Sequence, residues 1–121
     1  MPKDPLRVLV VDDEPKITEV VGSYLRRAGY EVVVATTATS AFEIASAKRD
    51  AIDVLVADTA LRGTSALAFA AEIRRAKGNL PVVFVGGDTG DEAVPSACDL
   101  LRKPFTPAAL LRKVRGALGA S

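Results

Sequence analysis

Four short runs of apolar, mostly β-branched residues recur along the chain, at 6–11, 31–35, 53–57 and 81–85. They are nearly continuous rather than alternating. A strand with one wet face alternates apolar and polar residues, so continuous runs mark strands buried on both faces, as in a parallel sheet. Leu100-Leu101 is a shorter, weaker fifth candidate. Between the runs the apolar period changes to that of a helix. After Pro15, residues Ile17, Val20, Val21, Tyr24 and Leu25 fall on one helical face, an acidic residue precedes as a cap and Gly29 stands at the stop. A second helix begins between Thr37 and Ser40 and runs to about Arg49, with Ser40 and Glu43 at capping-box spacing. A third covers 65–77 with Leu67, Ala70, Ala71 and Ile73 inward and stops at Gly78. The last covers 107–118, with Thr106 as N-cap and Leu110, Leu111, Val114 and Leu118 on one face. Strands alternating with helices imply right-handed crossovers and a parallel sheet covered on both sides.

The length, 121 residues, suits one α/β domain over 1–121 with a short N-terminal tail, 1–5. There is no histidine and only one cysteine. A Ser-His-Asp triad, a Cys-His pair, a cysteine-cluster zinc site and an internal disulfide are thereby excluded. Any chemistry must run on carboxylates, lysine, hydroxyls and backbone amides. Sixteen basic residues oppose fifteen acidic ones, so the net charge of +1 supplies no field for nucleic acid or an anionic membrane. The apolar run at 6–11 is too short for a signal peptide or a membrane span, which makes a soluble cytoplasmic protein the expectation.

Open parallel sheets bind ligands beyond the carboxyl ends of their strands. Asp12, Asp13 and Glu14 follow the first run, Asp58 the third, Gly86-Gly87-Asp88 the fourth and Lys103-Pro104 the fifth. With the first strand central, these ends converge on one edge. Several carboxylates there would repel one another unless a cation offset them. Mg²⁺ takes oxygen ligands, keeps several waters and binds through a few carboxylates plus phosphate oxygens. Lys103 adds a positive point charge, and the set suits phosphoryl transfer, where catalysis is positioning and charge neutralisation. Taken singly each residue has a plainer reading: Asp12-Asp13-Glu14 as a helix start, Asp58 as a turn aspartate, Lys103 as a solvated lysine. Their joint placement at three strand ends favours the functional one.

At these residues the sequence resembles a response regulator receiver domain over essentially its whole length. The resemblance rests on Val8-Leu9-Val10-Val11-Asp12-Asp13-Glu14-Pro15, on Asp53-Val54-Leu55-Val56-Ala57-Asp58 and on Lys103-Pro104-Phe105. It implies a doubly wound, flavodoxin-like sheet in the order 2-1-3-4-5. By position, Asp12 and Asp13 become the Mg²⁺ pair, Asp58 the phosphoacceptor and metal ligand, Lys103 the phosphate contact, and the Ala60 backbone carbonyl a further ligand. It also implies a cis bond before Pro104. The implied donor is a histidine kinase or histidine phosphotransfer protein, and the implied output is contact with a downstream protein. On this reading the chain is not an enzyme but promotes its own Mg²⁺-dependent phosphorylation and dephosphorylation, with no direct nucleic-acid or membrane contact, as a monomer or weak dimer. The lack of histidine agrees, since the chain can receive a phosphoryl group but cannot carry the histidine donor.

The departures from that family are specific. Gly86 stands where the family has Thr or Ser after the fourth strand, and Leu100 where it often has an aromatic; both are positions of the usual switch. Gly86 to Lys103 is shorter than the resemblance leads one to expect, and Pro95 would interrupt a helix there, so the fourth family helix should be shortened or absent. Arg62 and Ala66 replace a frequent proline and glycine. The stretches Gly86-Gly87-Asp88-Thr89 and Lys103-Pro104-Phe105-Thr106-Pro107 resemble receivers at the C-termini of hybrid histidine kinases, while a start at Met1 suits a free-standing chain without an output domain. Two alternatives stand beside the phosphoacceptor reading. One is a phosphorylation-independent interaction module with the same fold. The other, a Mg²⁺-dependent phosphatase with an aspartyl nucleophile, is disfavoured because Ala60 occupies the second position of the Asp-x-Asp it would need. The basic pairs on the helices read as solvated faces, Cys98 as a small packing residue, Tyr24, Tyr30, Phe42, Phe69 and Phe84 as core, and Phe105 as either core or a docking residue.

Overall fold

A computed structural model describes residues 5–47, 51–87 and 98–119. Five parallel strands form one sheet: β1 (Arg7–Val11), β2 (Glu31–Ala35), β3 (Val54–Asp58), β4 (Val82–Gly86) and β5 (Asp99–Arg102). Four helices accompany them among the described residues: α1 (Pro15–Arg27), α2 (Ala38–Ser46), α3 (Ala66–Ala76) and α4 (Pro107–Ala117). The strand order is β2-β1-β3-β4-β5, with β3 in the middle and β1 beside it. The expected shortening of a helix between β4 and β5 falls on 88–97, outside the described residues.

The continuous apolar runs fold as strands because each side of the sheet has its own core. Leu9, Val11, Leu55, Ala57, Val82 and Phe84 face Ala41 and Ala45 of α2 and Phe69, Ala70 and Ile73 of α3. Val8, Val10, Val54, Val56, Val83 and Val85 face Val21 and Leu25 of α1 and Leu110 and Val114 of α4. Phe69 is fully buried, stacked on Phe42 with centroids 5.3 Å apart and edge-on to Phe84 at 6.4 Å. Tyr24, Tyr30, Phe42 and Phe105 are half-buried at the margins of these cores. Cys98 is half-buried beside Arg74, whose Nη2 lies 3.5 Å from Sγ.

Several local expectations are corrected. Val20 and Leu67 are exposed, 47% and 48%, and Ala71 is exposed as well. The buried face of α1 is Thr18, Val21, Gly22 and Leu25, and that of α3 is Ala66, Phe69, Ala70 and Ile73. In α3, Ala70 and Ile73 face inward as expected, while Ala66 and Phe69 rather than Leu67 and Ala71 complete the stripe, because Phe69 must reach the sheet. Thr37, not Ser40, caps α2: its hydroxyl accepts the Ser40 N–H at 3.0 Å from an extended backbone, which leaves Ser40 inside the helix. That helix ends at Ser46, because Ala47 is already extended (ψ 126°). Glu14 stands at the N-cap of α1 without a side-chain bond. Gly29, at φ 98°, closes α1: its N–H reaches Arg26 O while Tyr30 N–H reaches Leu25 O, a left-handed turn that glycine adopts without steric cost. Thr106 caps α4 through the Ala109 N–H, and Ser65 caps α3 through the Ala68 N–H.

Candidate functional site

The parallel register brings the carboxyl ends of β1, β3, β4 and β5 to one edge. Asp58 is the last residue of β3 and pairs with Val85; Gly86 is the last residue of β4 and pairs with Arg102. Both lie within their strands rather than after them. The ladder continues past Asp58 through Thr59 N–H to Val85 O at 3.1 Å, and Lys103 N–H bonds Gly86 O at 2.7 Å. The second bond sets Lys103 beside β4 and turns its side chain toward Asp58. Lys103 Nζ is 3.7 Å from Asp58 Oδ1, with side-chain exposures of 35% and 15%. The following bond, Lys103-Pro104, is cis, as expected.

Asp12 is buried, 5% exposed, directly after β1. Its N–H bonds Ala35 O at 3.2 Å, and its Oδ1 accepts the Glu14 N–H at 2.9 Å, which turns the chain into α1. Burial raises the Asp12 pKa above the ordinary aspartate value, the Glu14 N–H opposes the rise, the Asp58 charge adds to it and Lys103 opposes it in turn. A carboxylate burdened in this way is a ready partner for a cation. Asp13 Oδ2 accepts the Arg62 N–H at 2.9 Å and ties the β1–α1 loop to the β3–α3 loop. A cleft of about 280 Å³ opens beside it, lined by Asp13, Pro15, Thr36, Thr37 and Arg62.

The structure thus places Asp12, Asp13, Asp58, Ala60 and Lys103 at one edge, and it brings Lys103 to Asp58 directly. Among the described residues no group of three or more acidic, thiol or imidazole side chains closes on one point. The donors are oxygen-only and spread, which suits an ion that keeps several waters, such as Mg²⁺, and not a dehydrated cage. On that chemistry the residues fit the ion.

Sequence reasoning missed Thr59. It is buried, 5% exposed, and its Oγ1 and Cγ2 lie 3.3 Å from the position a side-chain Cβ would take at Gly86, with Leu100 Cδ1 at 3.2 Å. The two switch positions, Gly86 and Leu100, are therefore in one packing group with the residue next to Asp58. The available signal was register: Thr59 lies level with Gly86, one step beyond the Asp58–Val85 pair. The bond from Arg62 to Asp13 was also missed, because it uses a backbone N–H that no side-chain pattern reveals.

Comparison with known proteins agrees with this layout. The sequence model of the response regulator receiver domain matches residues 8–115. The chain is 38% identical over 117 residues to Rrf1 of Nitratidesulfovibrio vulgaris, covering 94% of this chain and 83% of Rrf1. It is 33% identical over 117 residues to the regulatory protein VanR of Enterococcus faecium, covering 93% of this chain and 49% of VanR, so it spans about half of that relative. Among solved structures, a response regulator receiver domain protein from Clostridium thermocellum superposes with a TM-score of 0.86 at 26% identity, over 94% of each chain.

Proposed function

The chain belongs to the response regulator receiver domain family of two-component signalling, and from that premise we propose that Asp58 is its phosphoacceptor. A carboxylate oxygen of Asp58 attacks the phosphorus of a phosphohistidine on a partner kinase or phosphotransfer protein. The new P–O bond forms as the P–N bond breaks, and the electron pair leaves on the imidazole nitrogen. The product is an aspartyl phosphate. Lys103 pairs its ammonium with an equatorial phosphoryl oxygen and holds Asp58 in place beforehand. Asp12, Asp13, Asp58 and the Ala60 carbonyl would hold Mg²⁺, directly or through water, and that ion would supply charge neutralisation at the transferring group. Asp13 also fixes the acceptor loop through the Arg62 N–H.

The observation that supports this best is the placement of Lys103 Nζ 3.7 Å from Asp58 Oδ1, at an edge where Asp12 is buried with a raised pKa. The output is contact with a downstream protein in the cytoplasm. Among the described residues no helix is long and apolar enough to cross a membrane. Gly86 carries no hydroxyl, so the switch differs from the family's usual one. That also gives a second reading substance, a module that binds its partner regardless of phosphorylation. NMR spectra with beryllofluoride and Mg²⁺ separate the two. Shifts around Asp58 are expected; a spectrum without any change would leave the phosphorylation-independent module.

A further inference from the structure

The main chain and the side chain of Arg62 serve different places. Its N–H bonds Asp13 Oδ2 at 2.9 Å, which fixes where the residue stands beside the end of β1. Its side chain is exposed and lines the cleft of about 280 Å³ together with Asp13, Pro15, Thr36 and Thr37. Among the described residues the guanidinium has no ion-pair partner, Asp13 included. Donors in the cleft outnumber acceptors. The guanidinium offers a planar fork of N–H groups. Thr37 Oγ1 accepts the Ser40 N–H at 3.0 Å, so α2 is already capped and the hydroxyl proton of Thr37 remains to donate elsewhere. Thr36 adds a second hydroxyl. Against them stands Asp13, one oxygen of which already takes an N–H. Donors in excess around a cation suit an oxyanion, and a guanidinium fork matches the two oxygens of a carboxylate.

The walls decide how such a group arrives. Pro15, Thr36, Thr37 and Arg62 are all exposed, so the cleft is open and does not enclose a free small molecule as ligand pockets do. It suits a side chain carried in by a protein already docked at the same edge. The phosphodonor is such a protein, because it must bring its phosphohistidine to Asp58, and Asp13 belongs both to the cleft and to the set around Asp58. We propose that this cleft receives an acidic side chain, Asp or Glu, of the phosphodonor protein, and that Arg62 thereby favours donors that carry one. The proposal rests on the reading of Asp58 as phosphoacceptor. Arg62 takes no part in the transfer itself; it is a specificity residue. Its side chain can be exchanged without untying Asp13, since that bond uses the main chain.

The test uses the whole chain with Mg²⁺ at constant ionic strength. The probe is N-acetyl-glutamate amide, with N-acetyl-glutamine amide as its neutral isostere and inorganic phosphate as a second oxyanion. NMR follows the amides of Thr36, Thr37 and Arg62 and the Arg62 Nε–H. The glutamate derivative should shift them and the glutamine derivative should not. Arg62→Gln should weaken binding by about fivefold or more, and Arg62→Lys, which keeps the charge without the fork, should fall between the two. Equal shifts from both derivatives, or unchanged binding in Arg62→Gln, would overturn the proposal. Shifts from inorganic phosphate with none from the glutamate derivative would overturn it as well, giving the cleft to a free anion. Absence of an acetyl phosphate adduct on the unsubstituted chain would instead overturn the phosphoacceptor reading, whatever the cleft binds.

Discussion

Asp12→Asn should make the protein more stable at neutral pH while weakening its response to Mg²⁺. The Glu14 N–H bonds Asp12 Oδ1 at 2.9 Å, and an asparagine carbonyl oxygen at the same position keeps that bond. The helix entry is therefore preserved at little cost. What disappears is a buried charge whose pKa is raised by burial and by Asp58. What is lost in exchange is attraction to Lys103, which is 35% exposed and therefore screened. The balance favours the variant by about 0.5–2 kcal/mol, the range usual for a single stabilising substitution. For a domain of this size that is a rise in Tm of about 2–8 °C. The pH dependence has a definite sign. Below about pH 3.8, the ordinary aspartate value, Asp12 is protonated in both the folded and the unfolded chain, and the variant has no charge to relieve. As pH rises above that value the unfolded chain releases the proton while the folded chain still holds it, so the unsubstituted protein loses stability until its own raised pKa is passed. The advantage of Asp12→Asn should grow across that window and then level off. Urea denaturation of both proteins from pH 3 to 8 measures it. Mg²⁺ at about ten times its dissociation constant should add about 1.4 kcal/mol to the unsubstituted protein and clearly less to the variant, narrowing the gap. A variant less stable at neutral pH, or an advantage equal at about pH 3 and neutral pH, would refute the charge argument.

Other substitutions probe the remaining parts of the edge. Lys103→Met keeps the apolar stem and removes the ammonium; stability in urea should change by less than about 1 kcal/mol, since the ion pair is partly solvated, while phosphorylation by acetyl phosphate should slow by about 100-fold. Gly86→Thr should destabilise by about 1–3 kcal/mol through its contacts with Thr59 and Leu100. Combining it with Thr59→Ala should cost less than the sum of the two, with a coupling of at least about 0.5 kcal/mol in a double-mutant cycle.

Much of this organisation was legible in the residues because it depends on one-dimensional patterns. Short, β-branched continuous apolar runs suit strands with cores on both sides, and the two clusters around Phe69 and Val21 supply those cores. Asp12, Asp58 and Lys103 were findable because each stands where a run ends, and a parallel sheet gathers run ends at one edge. The less legible features depend on rotation or on backbone groups. A helix face read from apolar spacing put Val20 and Leu67 inward, yet the large ring of Phe69 decides how α3 sits on the sheet. Ser40 and Glu43 had the spacing of a cap, but Thr37 comes first along the chain and takes the free N–H of Ser40 itself. The tie between Asp13 and Arg62 runs through a main-chain amide, so residue 62 shows only that it is not proline, which would have no N–H to give. The fit of Thr59 against Gly86 depends on strand register across two separate runs.

Phosphoryl transfer to an Asp58 oxygen is read most simply by intact mass spectrometry. The protein is incubated with acetyl phosphate and Mg²⁺, with parallel samples of Asp58→Asn and of the unsubstituted chain in excess chelator. The unsubstituted chain with Mg²⁺ should gain the mass of a single phosphoryl group, and the other two samples should keep unmodified mass. No adduct on the unsubstituted chain, or an equal adduct on Asp58→Asn, would contradict it.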